Sequence, residues 1–232
     1  MGKRIISQAR GKGGPAYRVR KQAFSIRVGY PVHENGEAQI ISLLHSAAHS
    51  APLIKILLGH EIFYNVAFDG AVEGGGIKIG SGTKAGDIVM LKDIPVGTRI
   101  FNIEKNPGDG GKMIRVAGSS AVVSKQYEYQ KTGILMPNKK EVVLNNSCRA
   151  TIGVVAGEGR KTKPFIIAGK KFYKMKARGG RIWPRTSAVK MNAVDHPFGS
   201  GRGKRIKPKI AKRNAPPGRR VGHVRPRRTG RR

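Results

Sequence analysis

The sequence is short of cysteine, of long apolar runs and of acids, and each shortage removes a class of protein. Cys148 is the single cysteine in 232 residues, so no intramolecular disulfide and no cysteine-based metal site can form within the chain. The lack of a disulfide framework fits a reducing compartment, and a cytoplasmic location is expected. The longest apolar stretch, 41–59, is broken by His45, Ser46, His49, Ser50, Pro52 and Lys55. It falls short of the roughly 20 mainly apolar residues of a membrane-spanning helix, so no membrane partner is expected. Only Ile5 and Ile6 follow Lys3 and Arg4 before the polar Ser7 and Gln8, so no signal-peptide core is expected either. Acids are the greatest shortage: 13 Asp and Glu stand against 46 Lys and Arg, a net charge of +33.

Such an excess is the electrostatic footprint of nucleic-acid binding, because Lys and Arg release the counterions condensed on a polyanion. The charge is unevenly spread. Residues 1–28 carry 8 basic and no acidic side chains, 29–158 carry 13 and 12, and 159–232 carry 25 against the lone acid Asp195. The middle has the balance of an ordinary folded domain. The ends are like-charge blocks that repel themselves and stay extended until a counter-charged partner orders them.

Between 29 and 158 the apolar residues fall into short runs separated by Gly, Pro, Asn and Asp. The runs are 38–44, 52–58, 61–68, 76–79, 87–91, 98–103, 112–116, 121–126, 133–136, 141–144 and 150–155. Their length and β-branched content predict strands, and none keeps a helical period over three turns. Ile62, Tyr64, Val66 and Phe68 alternate and are expected to share one strand face, with a turn at Asp69-Gly70. Six turn formers, Asn106-Pro107-Gly108-Asp109-Gly110-Gly111, mark a boundary that divides the strands between two small barrels. The expected fold is therefore an all-β core with extended basic N- and C-terminal arms.

The C-terminal arm interleaves Phe165, Phe172, Tyr173, Trp183 and Phe198 with its cations. Such rings either stack on unpaired bases or pack locally, and for Trp183 the sequence favours neither. Phosphate contacts are expected from Lys3, Arg4, Arg10, Lys12, Arg18 and Arg20 in the first arm. In the second arm they are expected from Lys170, Lys171, Arg178, Arg181, Arg185, Arg202, Lys204, Arg205, Arg219, Arg220, Arg227 and Arg228.

Four motifs carry a family resemblance. Met191-Asn192-Ala193-Val194-Asp195-His196-Pro197-Phe198-Gly199-Ser200-Gly201 resembles the signature loop of the ribosomal protein L-two family. Pro95-Val96-Gly97-Thr98 with the 106–112 loop, Cys148-Arg149-Ala150-Thr151-Ile152-Gly153, and Ala215-Pro216-Pro217-Gly218-Arg219-Arg220-Val221-Gly222 resemble further family segments in the family's order. The ending resembles the archaeal and eukaryotic branch. The resemblance implies an OB-like barrel followed by an SH3-like barrel, here 29–105 and 106–177, between a basic N-terminal extension at 1–28 and a Gly- and Pro-rich C-terminal extension at 178–232. It implies a structural constituent of the large ribosomal subunit, bound to large-subunit rRNA and neighbouring ribosomal proteins, with a contact to small-subunit rRNA at the subunit interface. Support of subunit association, tRNA positioning and organisation of the peptidyl-transferase centre come with it, as do RNA contacts at Asn192 and His196. Two positions depart from the family pattern, Ala193 replacing the usual Pro and Ser200 replacing a Gly, while Phe198 stands where the bacterial branch has a second histidine.

Chemical readings of the same residues are weaker. Asp195 beside His196 suggests a carboxylate-oriented imidazole, yet adjacency does not make a hydrogen bond and no nucleophile is linked to the pair. Lys112 follows Gly111 as in a phosphate-binding loop, but Asn106 and Met113 occupy that motif's Gly and Ser/Thr positions. His33, His45, His49 and His60 lack companion ligands at zinc spacing. No catalytic residue, metal site or cofactor is expected, apart from Mg2+ associated with rRNA. A sequence-independent chromatin or nucleoid protein remains the alternative binding function, and an RNA-modifying enzyme the alternative from another class.

Overall fold

A computed structural model describes residues 4–31 and 35–222 of the chain. Contacts divide it into two units, one of residues 21–167 and one made of both chain ends, 1–20 with 168–232.

The first unit is built on a β core. Its strands are β1 (Gly36–Leu44), β2 (Leu53–Leu58), β3 (Glu61–Val66), β4 (Gly76–Ile79), β5 (Ile88–Met90), β6 (Arg99–Phe101), β7 (Ala121–Tyr127), β8 (Lys131–Leu135), β9 (Glu141–Asn145) and β10 (Arg149–Ile152). They hydrogen-bond in the order β3-β2-β1-β4-β5-β10-β6-β7-β8-β9. The last strand is thus inserted antiparallel between β5 and β6, joining the early and late halves of the sheet. Ten of the eleven apolar runs form a strand. The run at 112–116 does not: Ile114 takes φ 52°, which breaks extended pairing after the single bridge from Met113 to Ile103. Along the Ile62, Tyr64, Val66 and Phe68 face exposure falls from one end to the other: Ile62 is exposed, Tyr64 half-buried, and Val66 and Phe68 are buried in the core, while Phe63 and Asn65 are buried on the opposite face. The Asp69-Gly70 turn forms, with Gly70 at φ 85°.

Two hydrophobic clusters fill the unit, and the joining strands serve both. Ile88 and Phe101 point into the first cluster, whereas their neighbours Val89 and Ile100 point into the second. Period-two alternation sends adjacent side chains to opposite faces, so a strand buried on both faces is apolar at every position. Cys148 lies in the second cluster, where burial raises its thiol pKa to about 11.

Between these apolar regions runs a chain of buried polar groups. Tyr30 donates to the Asn102 carbonyl at 2.6 Å and its hydroxyl meets Thr151 Oγ1 at 2.7 Å. Asn65 donates to Thr151 Oγ1 at 3.1 Å and accepts from Asn102 Nδ2 at 2.7 Å. Arg115 donates to Asn102 Oδ1 at 2.6 Å and to the carbonyl of Val28 at 3.3 Å. Alongside, fully buried Glu104 pairs with Arg149 at 3.0 Å and accepts the N–H groups of Gly110 and Arg149 at 3.0 and 2.8 Å. Arg149 also donates to the Pro31 carbonyl at 2.6 Å. Two basic residues of the near-neutral middle are therefore structural, fastening 28–31 to the core. Asp109 accepts from the N–H groups of Lys105, Asn106 and Gly111, so the turn-rich loop is a fixed element. Among the described residues no buried side-chain polar atom lacks a partner.

Two helices flank the boundary between the units: α2 (Gly159–Thr162) and α3 (Ala168–Arg178); α1 (Ile6–Ala9) lies near the N-terminus. Among the described residues no helix is long and apolar enough to cross a membrane.

Candidate nucleic-acid interface

The unit built from the chain ends holds 28 of the 46 basic residues and a single acid, a net +27 of the total +33. Every candidate phosphate-contacting residue belongs to it. Lys3, Arg227 and Arg228 lie outside the described residues.

The two ends fold against each other. Gly180 donates to the Arg18 carbonyl at 3.1 Å, Arg20 donates to the Arg178 carbonyl at 3.4 Å, and Val19 bridges Gly179. Glycine is required twice here, because Gly179 and Gly180 have φ of 70° and 78° and a Cβ on Gly180 would sit 2.8 Å from the Val19 side chain. Gly179 also caps α3 in the left-handed conformation, donating to the Met175 carbonyl at 3.0 Å. A second tie joins Ser7 Oγ to the Gly218 carbonyl at 2.6 Å. Ile5, the one large apolar residue of α1's approach to be buried, is 2% exposed.

On this frame the cations face outward. Arg4, Arg10, Lys12, Arg18, Arg20, Lys170, Arg181, Arg185, Arg202, Lys204, Arg205 and Arg220 are exposed. Lys171, Arg178 and Arg219 are half-buried. α3 contains four lysines, Arg178 and no acid. Lys170 and Lys174 stand four apart, a like-charge spacing that disfavours an isolated helix and suits one facing an anion. Trp183 is half-buried, with the Lys171 ammonium 5.2 Å from its ring centroid.

The signature loop is a compact turn. The Asn192 carbonyl accepts the N–H groups of Asp195 and His196 at 3.0 and 3.2 Å, placing Ala193 in the turn position that proline favours. Alanine also reaches that conformation, which accounts for its presence there. Ser200 donates to the Met191 carbonyl at 3.1 Å, closing the loop, and takes φ 67° where glycine is usual. Gly199 has no room for a side chain, since a Cβ would collide with the Asn192 carbonyl. Lys207 donates to the Gly199 carbonyl at 2.7 Å. Asn192 is exposed and shares a cavity of about 380 Å3 with Arg4, Lys190 and Asp195.

His196 is oriented by the backbone. Its Nδ1 accepts the Phe198 N–H at 3.0 Å, its ring lies 5.2 Å from that of Phe198, and burial lowers its pKa below the ordinary 6.5. A neutral ring with its proton on Nε2 is the result, a hydrogen-bond donor rather than an acid–base couple with Asp195. Sequence reasoning missed the contributions of Lys190, beside Asn192, and Lys207, on the Gly199 carbonyl, neither of which carries a local signal. Among the described residues no group of three or more His, Cys, Asp or Glu is placed to hold a metal.

With +27 of the charge and half-buried rings in one unit against +6 in the β unit, the chain has the make-up of a polyanion binder, and comparison with known proteins narrows the class. The family described as Ribosomal Proteins L2, C-terminal domain, matches residues 84–218. The large ribosomal subunit protein uL2 of Archaeoglobus fulgidus is 45% identical over 237 residues, covering 99% of each chain. Proteins of the same name from Methanococcus maripaludis and Methanopyrus kandleri are 43% and 40% identical over 242 residues, covering all of this chain and 100% and 98% of theirs. The chain belongs to the ribosomal protein L2 family.

Proposed function

We propose that this protein is a structural constituent of the large ribosomal subunit that binds large-subunit rRNA through the unit formed by its two ends. The observation that carries the reading is the segregation of +27 of the charge into that unit. Phosphates neutralise the exposed Lys and Arg, while Asn192, the Nε2–H of His196 and Trp183 supply contacts that depend on RNA shape. The two hydrophobic clusters on opposite faces of β5 and β6 support an OB-like barrel followed by an SH3-like barrel. Neighbouring ribosomal proteins and small-subunit rRNA are the further partners. The role is positional: subunit association, tRNA placement and organisation of the peptidyl-transferase centre, with the chemistry left to RNA. No cofactor is needed beyond Mg2+ that accompanies the rRNA.

A salt titration tests this. Affinity for a large-subunit rRNA fragment is expected to fall about 10³- to 10⁵-fold between about 50 and 200 mM salt, the range for six to ten phosphate contacts. At the higher salt, rRNA should still outcompete duplex DNA. Equal retention of both would favour a sequence-independent chromatin-type binder.

A further inference from the structure

The two chain ends enclose a cavity of about 570 Å3 whose wall includes Arg10 and Tyr17 from the N-terminal end and Met175, Arg181, Trp183 and Arg185 from the C-terminal end. That volume lies within the usual range for small-ligand sites, about 300–1,000 Å3. Its lining combines two half-buried aromatic rings and a half-buried thioether with three exposed guanidinium groups, and it contains no acid. A larger cavity beside β1 and β4, about 750 Å3, differs in this respect: Glu37 and Asp87 offset Lys78 and Lys84 there, leaving no preference for an anion. Rings flanked by arginines suit a flat aromatic group that carries negative charge on its attachment, which describes a nucleotide.

We infer that this cavity captures one unpaired rRNA nucleotide, its base against Trp183 and Tyr17 and its phosphates against Arg10, Arg181 and Arg185. The inference rests on the rRNA-binding reading and sharpens it. Lys171 lies 5.2 Å from the Trp183 ring centroid without lining the cavity, so it holds the indole in place and leaves the space open. Because the wall comes from both ends, it exists only when they are joined at Val19 and Gly179. Base capture and ordering of the two ends are therefore one event: an inserted base stabilises the joint, and the joint builds the pocket.

Trp183 is the only tryptophan, so the emission of the unmodified full chain, excited at the red edge of the indole band where its six tyrosines do not absorb, reports on this cavity. The probes are a short single-stranded oligoadenylate and an abasic strand of equal length and charge, titrated at low salt. Stacking predicts quenching by the oligoadenylate and an unchanged signal when the abasic strand binds. Replacing Trp183 with Ala should weaken the oligoadenylate by roughly 5- to 150-fold, the equivalent of one base–aromatic stack, and leave the abasic strand's affinity unaltered. Binding of both strands with equal quenching, or with none, overturns the pocket while rRNA binding stands. Failure of rRNA to bind at low salt overturns the rRNA reading itself, and the pocket with it; binding of rRNA without binding of the oligoadenylate overturns the pocket alone.

Discussion

His196 shows how a single ring can resemble chemistry while doing structural work. A carboxylate partner would raise its pKa, whereas burial lowers it. A group with a depressed folded pKa contributes stability above its unfolded value, near 6.5, and loses it as pH falls through the folded value. An NMR titration of the His196 ring is therefore expected to give a midpoint below 6.5; a midpoint above it would restore the Asp195–His196 couple. The neighbouring glycines give a second prediction. Gly199→Ala should disrupt the loop and weaken rRNA binding, because its Cβ would overlap the Asn192 carbonyl. Ser200→Gly should bind as well as the parent and be equally or more stable, since a non-glycine residue at φ 67° costs about 1–2 kcal/mol. Filter binding with thermal unfolding separates the two outcomes.

At the scale of elements, the Glu104–Arg149 pair holds three segments together: the 106–111 loop, the start of β10 and the 28–31 approach to β1. Glu104 is fully buried and Arg149 nearly so, so removing the carboxylate leaves a guanidinium without its charge partner. Glu104→Ala is expected to lower unfolding free energy by about 3–5 kcal/mol in urea titrations; a loss under about 1 kcal/mol would mean the pair is dispensable. Strands were legible in the sequence because short β-branched runs between turn formers have few alternatives. The exception at 112–116 turned on Ile114, whose positive φ has no residue-type signature. Arg115 and Arg149 read as part of a balanced surface, and their inward roles depend on carbonyls up to 118 residues away. The exposure of Ile62 on a face that ends in buried Val66 and Phe68 was hidden for a like reason, since alternation identifies which residues share a face and only neighbouring strands decide how far along it burial runs.

At the scale of the whole molecule, composition predicted two cationic ends and a balanced middle, and it placed every expected phosphate contact in what proves to be one unit. What it did not reveal is that the ends form that unit together. Ser7 and Gly218 are 211 residues apart, and like charges argue for separation. Glycines at 179, 180 and 218 overcome this by letting backbones meet directly, where charged side chains still point away. Tyr17 could not be placed from its own neighbourhood, because the rest of its cavity comes from the other end of the chain.

A structural constituent held by its joined ends is present once in each large subunit. Sucrose-gradient sedimentation of a cell extract, with the protein quantified in every fraction, tests it most directly. One copy per large subunit, retained after a high-salt wash, is expected. A protein found mainly at the top of the gradient, or cosedimenting with DNA, would contradict it.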